Sequence, residues 1–507
     1  MNMKVYSFLS QGTDIQAIEI QVHTRFQIPS FQILGLAGPE IQEARERIIA
    51  AFSSCELEFP KKKVIVNLAP SDVKKSGTGH DLAMALGIII KSADFNAYFD
   101  KESKVFAWGA LGLDGKIQSC GKMASLMNLL CTDYTPKILF LSEADAGALF
   151  ELEQWRREKK LPVPQNLRIH ILGSLKDVLK EPKEISVFNK KSLPQHLPTL
   201  LPLLPHQERV LDLSIVGRHH TLILGPKGVG KSQMLEWYRW LTPESDPLKT
   251  WQRLIYEDHS KNENSLARSF PLRSVHAQVK PAHLLGSWGL KGFRAGELSL
   301  AHGGILVADE FLEWHRDAKE CLREPLQNKK TTITRVQGTT EIACDFQLIA
   351  TGNLCPCGGL PPQFRNKKST LTCTCHPRQI QEYLQRLSGP IADRIDLVSI
   401  FHQELVPSSV ALGEIMDSKK ITLKKQTLLD QQQFAIQEFG AIPSELTVPW
   451  LENNLPHDPS FGKMLVERTT SLRSRHKAMR LARTIQAVEK SSKLKIEHLF
   501  EALSFRF

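Results

Sequence analysis

Residues 225–232 read GPKGVGKS, and no other stretch narrows the possible folds as far. The string matches G-x-x-x-x-G-K-[ST] in full, with an apolar run (TLIL) before it and a helix-compatible run (QMLEWYRWL) after it. Such a loop works between a strand and a helix, because its backbone N–H groups must converge on phosphate oxygens at a helix N-terminus. Gly225, Gly228 and Gly230 let the chain wrap those oxygens, and Pro226, Lys227 and Val229 complete the loop. Lys231 reaches the β- and γ-phosphates, and the Ser232 hydroxyl is placed to ligate Mg²⁺. ATP and Mg²⁺ are therefore the expected ligands. A second apolar run, GGILVADEFLEW, ends in Asp309 and Glu310. Asp309 is expected in the metal's shell, and Glu310 is expected to orient and polarise the attacking water. A third, DFQLIATGN, ends in Asn353, whose amide either reaches the γ-phosphate or the water, or serves a strand-end turn. Together the three runs predict an α/β nucleoside-triphosphatase core with a parallel sheet.

The rest of the chain divides around this core. Residues 1–178 alternate short apolar strands (PSFQILGL, KKKVIVNLAP, PKILFLS) with helices. One helix starts at Pro39, with apolar positions at Ile41, Ala44, Ile48, Ala51 and Phe52. Residues 179–206 carry Pro182, Pro194, Pro198, Pro202 and Pro205, a spacing that forbids a continuous helix and predicts a linker. The core occupies 207–404, and 405–507 reads as helical almost throughout. No run of 18 apolar residues occurs, and the N-terminus is too polar for a signal peptide, so a cytoplasmic protein is expected. The formal net charge of +11 permits a polyanionic partner. Much of it is local: residues 461–507 hold eleven Lys/Arg against four Asp/Glu, which a solvated helical face would equally explain.

Several strings are more distinctive than a generic ATPase pattern: VNLAPSDVKKSGTGHDLAMALGI, GELSLAHGGILVADE, REPLQNKKTTITR, GNLCPCGG, RLSGPIADRIDL and RSRHKAMRLARTI. On these the chain resembles AAA+ ATPases of the magnesium-chelatase-like group over nearly its whole length. The resemblance implies a ring, usually a hexamer, driven by ATP and acting on single-stranded or branched DNA, as in the branch-migration helicases of natural transformation and recombination. A remodelling ATPase that acts on a protein partner is the alternative. The resemblance also implies that Arg394, in ADRID, completes the neighbouring subunit's nucleotide site. An arginine of the C-terminal helical lid, Arg480 in preference to Arg473, would contact nucleotide in cis. TTITRVQGTTEIACDF matches a hairpin inserted before the third strand, where Lys329, Lys330 and Arg335 are candidate DNA-phosphate contacts. Departures exist: FPLRSVHA keeps Arg273 and His276 of a longer arginine- and histidine-rich string.

The front domain resembles the Lon-protease proteolytic fold (ribosomal S5 domain 2-like), which raises a protease as a third possibility. Gly79 stands at the nucleophile's position, with Thr78 beside it, and Ala124 stands at the lysine's, with Lys122 two residues early. The domain is therefore expected to be non-proteolytic, a Ser76–Lys122 pair in shifted register being the alternative. The segment 352–377 holds Cys355, Cys357, Cys373 and Cys375 as two Cys-x-Cys pairs, with His376 as a spare ligand. A closed Zn²⁺ site is expected, with reduced free thiols as the alternative. Its loss is expected to leave ATP binding intact and to weaken hydrolysis.

Overall fold

The computed structural model describes residues 4–11, 14–92, 103–132, 135–180, 200–258, 271–289, 292–335, 338–364, 372–387, 389–402 and 418–505. Most of the expected linker (181–199) and the join at 403–417 lie outside the described residues.

The front part is a seven-stranded mixed sheet, ordered Ser30–Leu34, Lys63–Ala69, Asp14–Arg25, Val5–Gln11, Lys104–Ala107, Lys137–Leu141 and Leu167–Ile171. Asp14–Arg25 is antiparallel to both its neighbours, and the remaining pairs are parallel. The helix that begins at Pro39 runs to Ser54 and buries the five predicted apolar positions as one stripe. Lys137–Leu141 is buried at every residue. Its Ile138 and Phe140 face one apolar cluster and its Leu139 and Leu141 the other, so it reads as a continuous apolar run.

The core sheet has five strands, all parallel, in the order Leu272–Val275, Ile305–Ala308, Gln347–Gly352, Thr221–Leu224 and Leu397–Ile400. Parallel pairing sends every strand's C-terminal end to one edge. That edge carries Gly225, Asp309, Asn353 and Phe401. The opposite edge carries His220, Phe346 and Asp396, the residues that enter the strands. Helices at Ser418–Phe439, Val448–Asn453, Pro459–Arg468, Leu472–Val488 and Ile496–Ser504 make up the C-terminal part. Ala478, Leu481, Ala482 and Ile485 share a buried cluster with Val210, Leu211, Leu213 and Ile215 of the helix Pro205–Gly217. Pro205 is the first residue of that helix, where its missing N–H removes nothing from the ladder. The expected linker therefore ends earlier than 206. Leu200 is buried, and the Leu201 carbonyl accepts from Gln233 and Trp237 on the phosphate-loop helix.

Front and core parts are joined by more than chain connectivity. Trp251, on the helix Pro247–Glu257, is buried in one cluster with Leu126, Leu130 and Leu149 of the front part. Its ring lies 6.3 Å from that of Trp155 and under the Arg156 guanidinium at 4.2 Å. The Ser125 N–H and hydroxyl both donate to Asp258, at 2.6 and 2.8 Å. Among the described residues, no helix is long and apolar enough to cross a membrane.

Candidate active site

The buried strand Thr221–Leu224 delivers the chain into the glycine loop, and the helix Lys231–Leu241 leaves it. Gly228 and Gly230 take φ of 81° and 87°, a left-handed backbone that only glycine adopts without strain. Gly225 is required for a different reason: a Cβ there would sit 2.8 Å from the Phe401 carbonyl oxygen. Lys231 heads the helix and folds its ammonium back onto the loop. It donates to the carbonyls of Gly225 (2.6 Å) and Gly352 (3.0 Å) and to Asn353 Oδ1 (3.0 Å). The structure thus brings Lys231 and Asn353 into direct contact across neighbouring strands.

Burial pushes the Lys231 ammonium down to about 8, against the nearby charges of Asp309 and Glu310, which raise it. Phosphates favour the charged ammonium. ATP affinity is therefore expected to be full below pH 8 and to fall above it by about tenfold per pH unit, the slope of a single linked proton. Fluorescent-nucleotide titrations between pH 7 and 10 measure this, and a flat profile would exclude it.

Asp309 leaves the strand Ile305–Ala308 on the same edge. Its Oδ1 accepts the Thr351 hydroxyl at 2.5 Å, which fixes the carboxylate and leaves Oδ2 facing His276 at 4.0 Å. Thr351, buried in the next strand, is a positioning residue that spacing alone did not expose. Glu310 is exposed and sits at φ 50°, ψ 41°, a strained backbone for a residue with a Cβ. Ser232 and Asp309 offer hard oxygens on one sheet edge beside Lys231, a donor set that fits Mg²⁺. Arg273 is tied bidentately to Glu297 at 2.7 and 2.9 Å.

A cleft of about 660 Å³ opens beside the loop. His206, Gln207, Phe401 and Phe505 line it, and Gln207 donates to the Val229 carbonyl of the loop at 2.9 Å. The rings of His206 and Phe505 are 6.1 Å apart and nearly parallel, at 16°. None of the four lies in a recognisable motif.

Arg394 and Arg480 are not brought to this edge. Both line a second cleft, of about 630 Å³, together with His220, Phe346 and Asp396 at the opposite edge of the sheet. Arg394 donates to the Pro390 carbonyl and the Gln327 amide oxygen. Asp396 faces His219 at 3.5 Å, and Asp393 lies 3.6 Å from Arg473. Burial, then the charges of Arg473 and Arg323, hold the Arg394 guanidinium below its usual range. Arg480 donates twice to the Leu446 carbonyl, at 3.0 and 2.8 Å. Within one chain the sheet separates Arg480 from Lys231, so a contact with nucleotide in cis would need the C-terminal helices to move.

The hairpin forms as expected, Lys330–Arg335 pairing with Gly338–Ala343 in antiparallel register. Buried Ile333 and Ile342 pack it against Tyr256 and Phe293. Its three basic residues differ in station. Lys329 precedes the hairpin and is held by Glu445 at 2.5 Å and Asp345 at 3.5 Å, inside the arginine cleft. Lys330 is exposed and pairs with Glu341 across the hairpin at 2.9 Å. Arg335 ends the first strand, and its side chain lies outside the described residues.

The four cysteines converge. Cys355 Sγ is 3.3 Å from Cys357 and 3.4 Å from Cys373, Cys357 is 3.7 Å from Cys373, and with Cys375 all four sulfurs lie within 4.8 Å of one another. In the front part, a Cβ on Gly79 would fall 2.4 Å from the Trp108 ring, so the expected nucleophile position has no room for a side chain.

Residues 204–407 match the sequence model of the family described as magnesium chelatase, subunit ChlI. Residues 18–140 match a second model, subunit ChlI of Mg-chelatase, and the two together span more than half of the chain. Competence protein ComM of Haemophilus influenzae is 27% identical over 99% of this chain and 97% of its own length. The uncharacterised YifB of Escherichia coli is 26% identical over 99% and 96%. An uncharacterised Mycobacterium tuberculosis protein is 24% identical over 99% and 98%.

Proposed function

Because this chain belongs to the magnesium-chelatase-like AAA+ family, with ComM and YifB among its relatives, we propose that it is an ATP-driven ring motor that acts on DNA, most simply as a branch-migration helicase. The observation that supports a ring most directly is the division of the catalytic groups between the two edges of one parallel sheet. Lys231, Asp309, Glu310 and Asn353 stand at one edge, Arg394 and Arg480 at the other. A chain so built completes its chemistry by docking head to tail, the arginine cleft of one copy over the phosphate loop of the next. Closure of such contacts gives a ring, for which a hexamer is the proposed size.

In the assembled site the Lys231 ammonium leaves the Gly225 and Gly352 carbonyls for the β- and γ-phosphates. Ser232 and Asp309 would hold Mg²⁺, which would supply positive charge against the phosphates. Glu310 accepts a proton from the attacking water, and Asn353 orients that water or the γ-phosphate. The neighbour's Arg394 and Arg480 balance charge on the transferring phosphoryl group. The cleft between His206 and Phe505 accommodates the base.

Lys330 and Arg335 on the hairpin remain the proposed DNA-phosphate contacts. Lys329, held by Glu445 and Asp345 beside the arginine cleft, is proposed to take little part. DNA affinity should fall steeply with salt, and Lys330→Ala with Arg335→Ala should shallow the log–log slope by about one per lost contact. Lys329→Ala should leave that slope unchanged. An unchanged slope in the double variant would take the hairpin off the DNA path.

One observation favours a protein-remodelling ATPase as a second reading: Phe26 and Ile28, just before the edge strand of the front sheet, are 88% and 87% exposed, and Leu34 at that strand's far end is half-exposed. ATPase rates measured with branched, single-stranded and duplex DNA decide between the two. Stimulation by branched or single-stranded DNA is expected, and indifference to all three would favour a protein substrate. A protease is the weakest reading, since Trp108 closes the space over Gly79.

A further inference from the structure

We propose that Cys355, Cys357, Cys373 and Cys375 bind zinc, and that the zinc-loaded knuckle is a strut of the phosphate loop, so that nucleotide affinity depends on the metal. The inference rests on the phosphate loop's being an ATP site. The first observation is the spacing of the sulfurs. Four ligands about 2.3 Å from a tetrahedral zinc lie about 3.8 Å from one another. Three of the pairs here are 3.3, 3.4 and 3.7 Å apart, close to that figure. Thiolates in a closed four-sulfur set select zinc over harder cations.

The second observation is where the knuckle touches the core. One backbone hydrogen bond ties the Asn353–Gly359 turn to the phosphate loop, Lys227 N–H donating to the Gly358 carbonyl at 3.1 Å, just beyond the strand-end bond from Gly225 N–H to the Gly352 carbonyl at 3.2 Å. Gly358 lies between the paired cysteines and the loop, at φ 75°. A Cβ there would fall 2.7 Å from Lys227 Cε, so the turn lies flat against the Lys227 side chain. Gly359 is equally confined on its other side, where a Cβ would lie 2.5 Å from the Thr372 carbonyl oxygen of the second cysteine arm. Both arms of the knuckle are thus stacked behind the loop. Leu354 and Cys355 are fully buried at the join.

Leu354 and Leu360 bury the first arm in the core, but the sequence from 365 to 377, RNKKSTLTCTCHP, offers Leu371 as its sole aliphatic side chain to hold the second arm against it. Four metal–sulfur bonds supply what the composition does not, by removing the closure entropy of the intervening residues. Held, the Gly358 carbonyl keeps the Lys227 peptide oriented and the loop open to phosphate. Released, it frees the N-terminal half of the loop. The expectation that metal loss would spare ATP binding is therefore replaced by its opposite.

The test uses the purified full-length protein and a fluorescent ATP analogue. Zinc released by a thiol-specific mercurial, and counted with a chromophoric chelator, is expected at about one per chain. Protein stripped this way and then returned to reducing buffer is expected to lose about tenfold in nucleotide affinity, the worth of one well-placed hydrogen bond, and to regain it on adding Zn²⁺. Gly358→Ala, which leaves all four thiols in place, is expected to keep its zinc and still lose affinity. Far-UV circular dichroism checks that each sample is folded. Native protein without zinc and with four alkylatable thiols would overturn the proposal, as would stripped protein that binds nucleotide normally. Native protein that carries zinc but binds no nucleotide would instead overturn the ATP reading, and the strut with it.

Discussion

Lys231→Ala is expected to abolish ATP binding and hydrolysis together, whereas Glu310→Gln is expected to bind ATP normally and to lose turnover by about 10²- to 10⁴-fold, the range for a positioned general base. The two residues lie on one sheet edge but do different things. The Lys231 ammonium already hydrogen-bonds the carbonyls of Gly225 and Gly352 and the Asn353 side chain, so it is the cation around which the loop is organised. Removing it leaves phosphate charge without a partner and leaves acceptors unmet. Glu310 takes no part in that network. It stands exposed on a strained turn, where its carboxylate is free to meet a water molecule. Its amide isostere keeps the shape and loses the proton acceptor. Equilibrium binding of labelled ATP, beside steady-state phosphate release, separates the effects. Equal loss of binding in both variants would refute the division of roles.

Arg394→Ala and Lys231→Ala, each inactive alone, are expected to regain part of the wild-type rate when mixed. Removing an arginine that completes a phosphoryl-transfer site costs about 10³-fold or more, so the parents give a low background. In a mixed assembly, some contacts join the intact phosphate loop of one variant to the intact arginine cleft of the other. Arg480→Ala should behave as Arg394→Ala does, because both side chains line the same cleft at the edge away from Lys231. Mixed assemblies must be shown to form, by co-purification of differently tagged chains. If they form and stay silent at every ratio with Arg394→Ala, the head-to-tail site is wrong. If only the Arg480→Ala mixtures stay silent, Arg480 works within its own chain after a movement of the C-terminal helices.

What the sequence exposed and what it hid follow from the range of the interactions involved. The phosphate loop, the acids after the second strand and the stripe from Ile41 to Phe52 are local, written in consecutive residues or at helical spacing, and they were legible. The division of the candidate site residues between two edges depends on strand direction and order, which no motif encodes. Hence Arg480 was expected in cis although the sheet holds it at the far edge. Lys329 looked like a free cation because its partners, Asp345 and Glu445, are distant in sequence and come together only in the folded chain. Thr351 and His206 were missed for the same reason: a lone hydroxyl or imidazole carries no pattern until its neighbours are known. The cysteine pairs were read as a metal site, yet the bond from Lys227 to Gly358 that gives the site its consequence is between backbone atoms and leaves no trace in side-chain identity.

The packing of Trp251 between Trp155, Arg156 and the front-part helices bears on how work would leave the molecule. A domain on a slack tether absorbs motion, while one clamped by a buried indole and a carboxylate bonded twice to a helix N-terminus transmits it. The helix Pro247–Glu257 that carries this clamp also reaches the hairpin through Tyr256, whose hydroxyl accepts the Ala343 N–H at 2.8 Å. One rigid rod therefore links the front sheet to the hairpin. Tyr256 lies between Trp251 and Asp258, the two residues that grip the front part, so any tilt of that rod during a nucleotide cycle would carry the front part and the hairpin together as one lever arm.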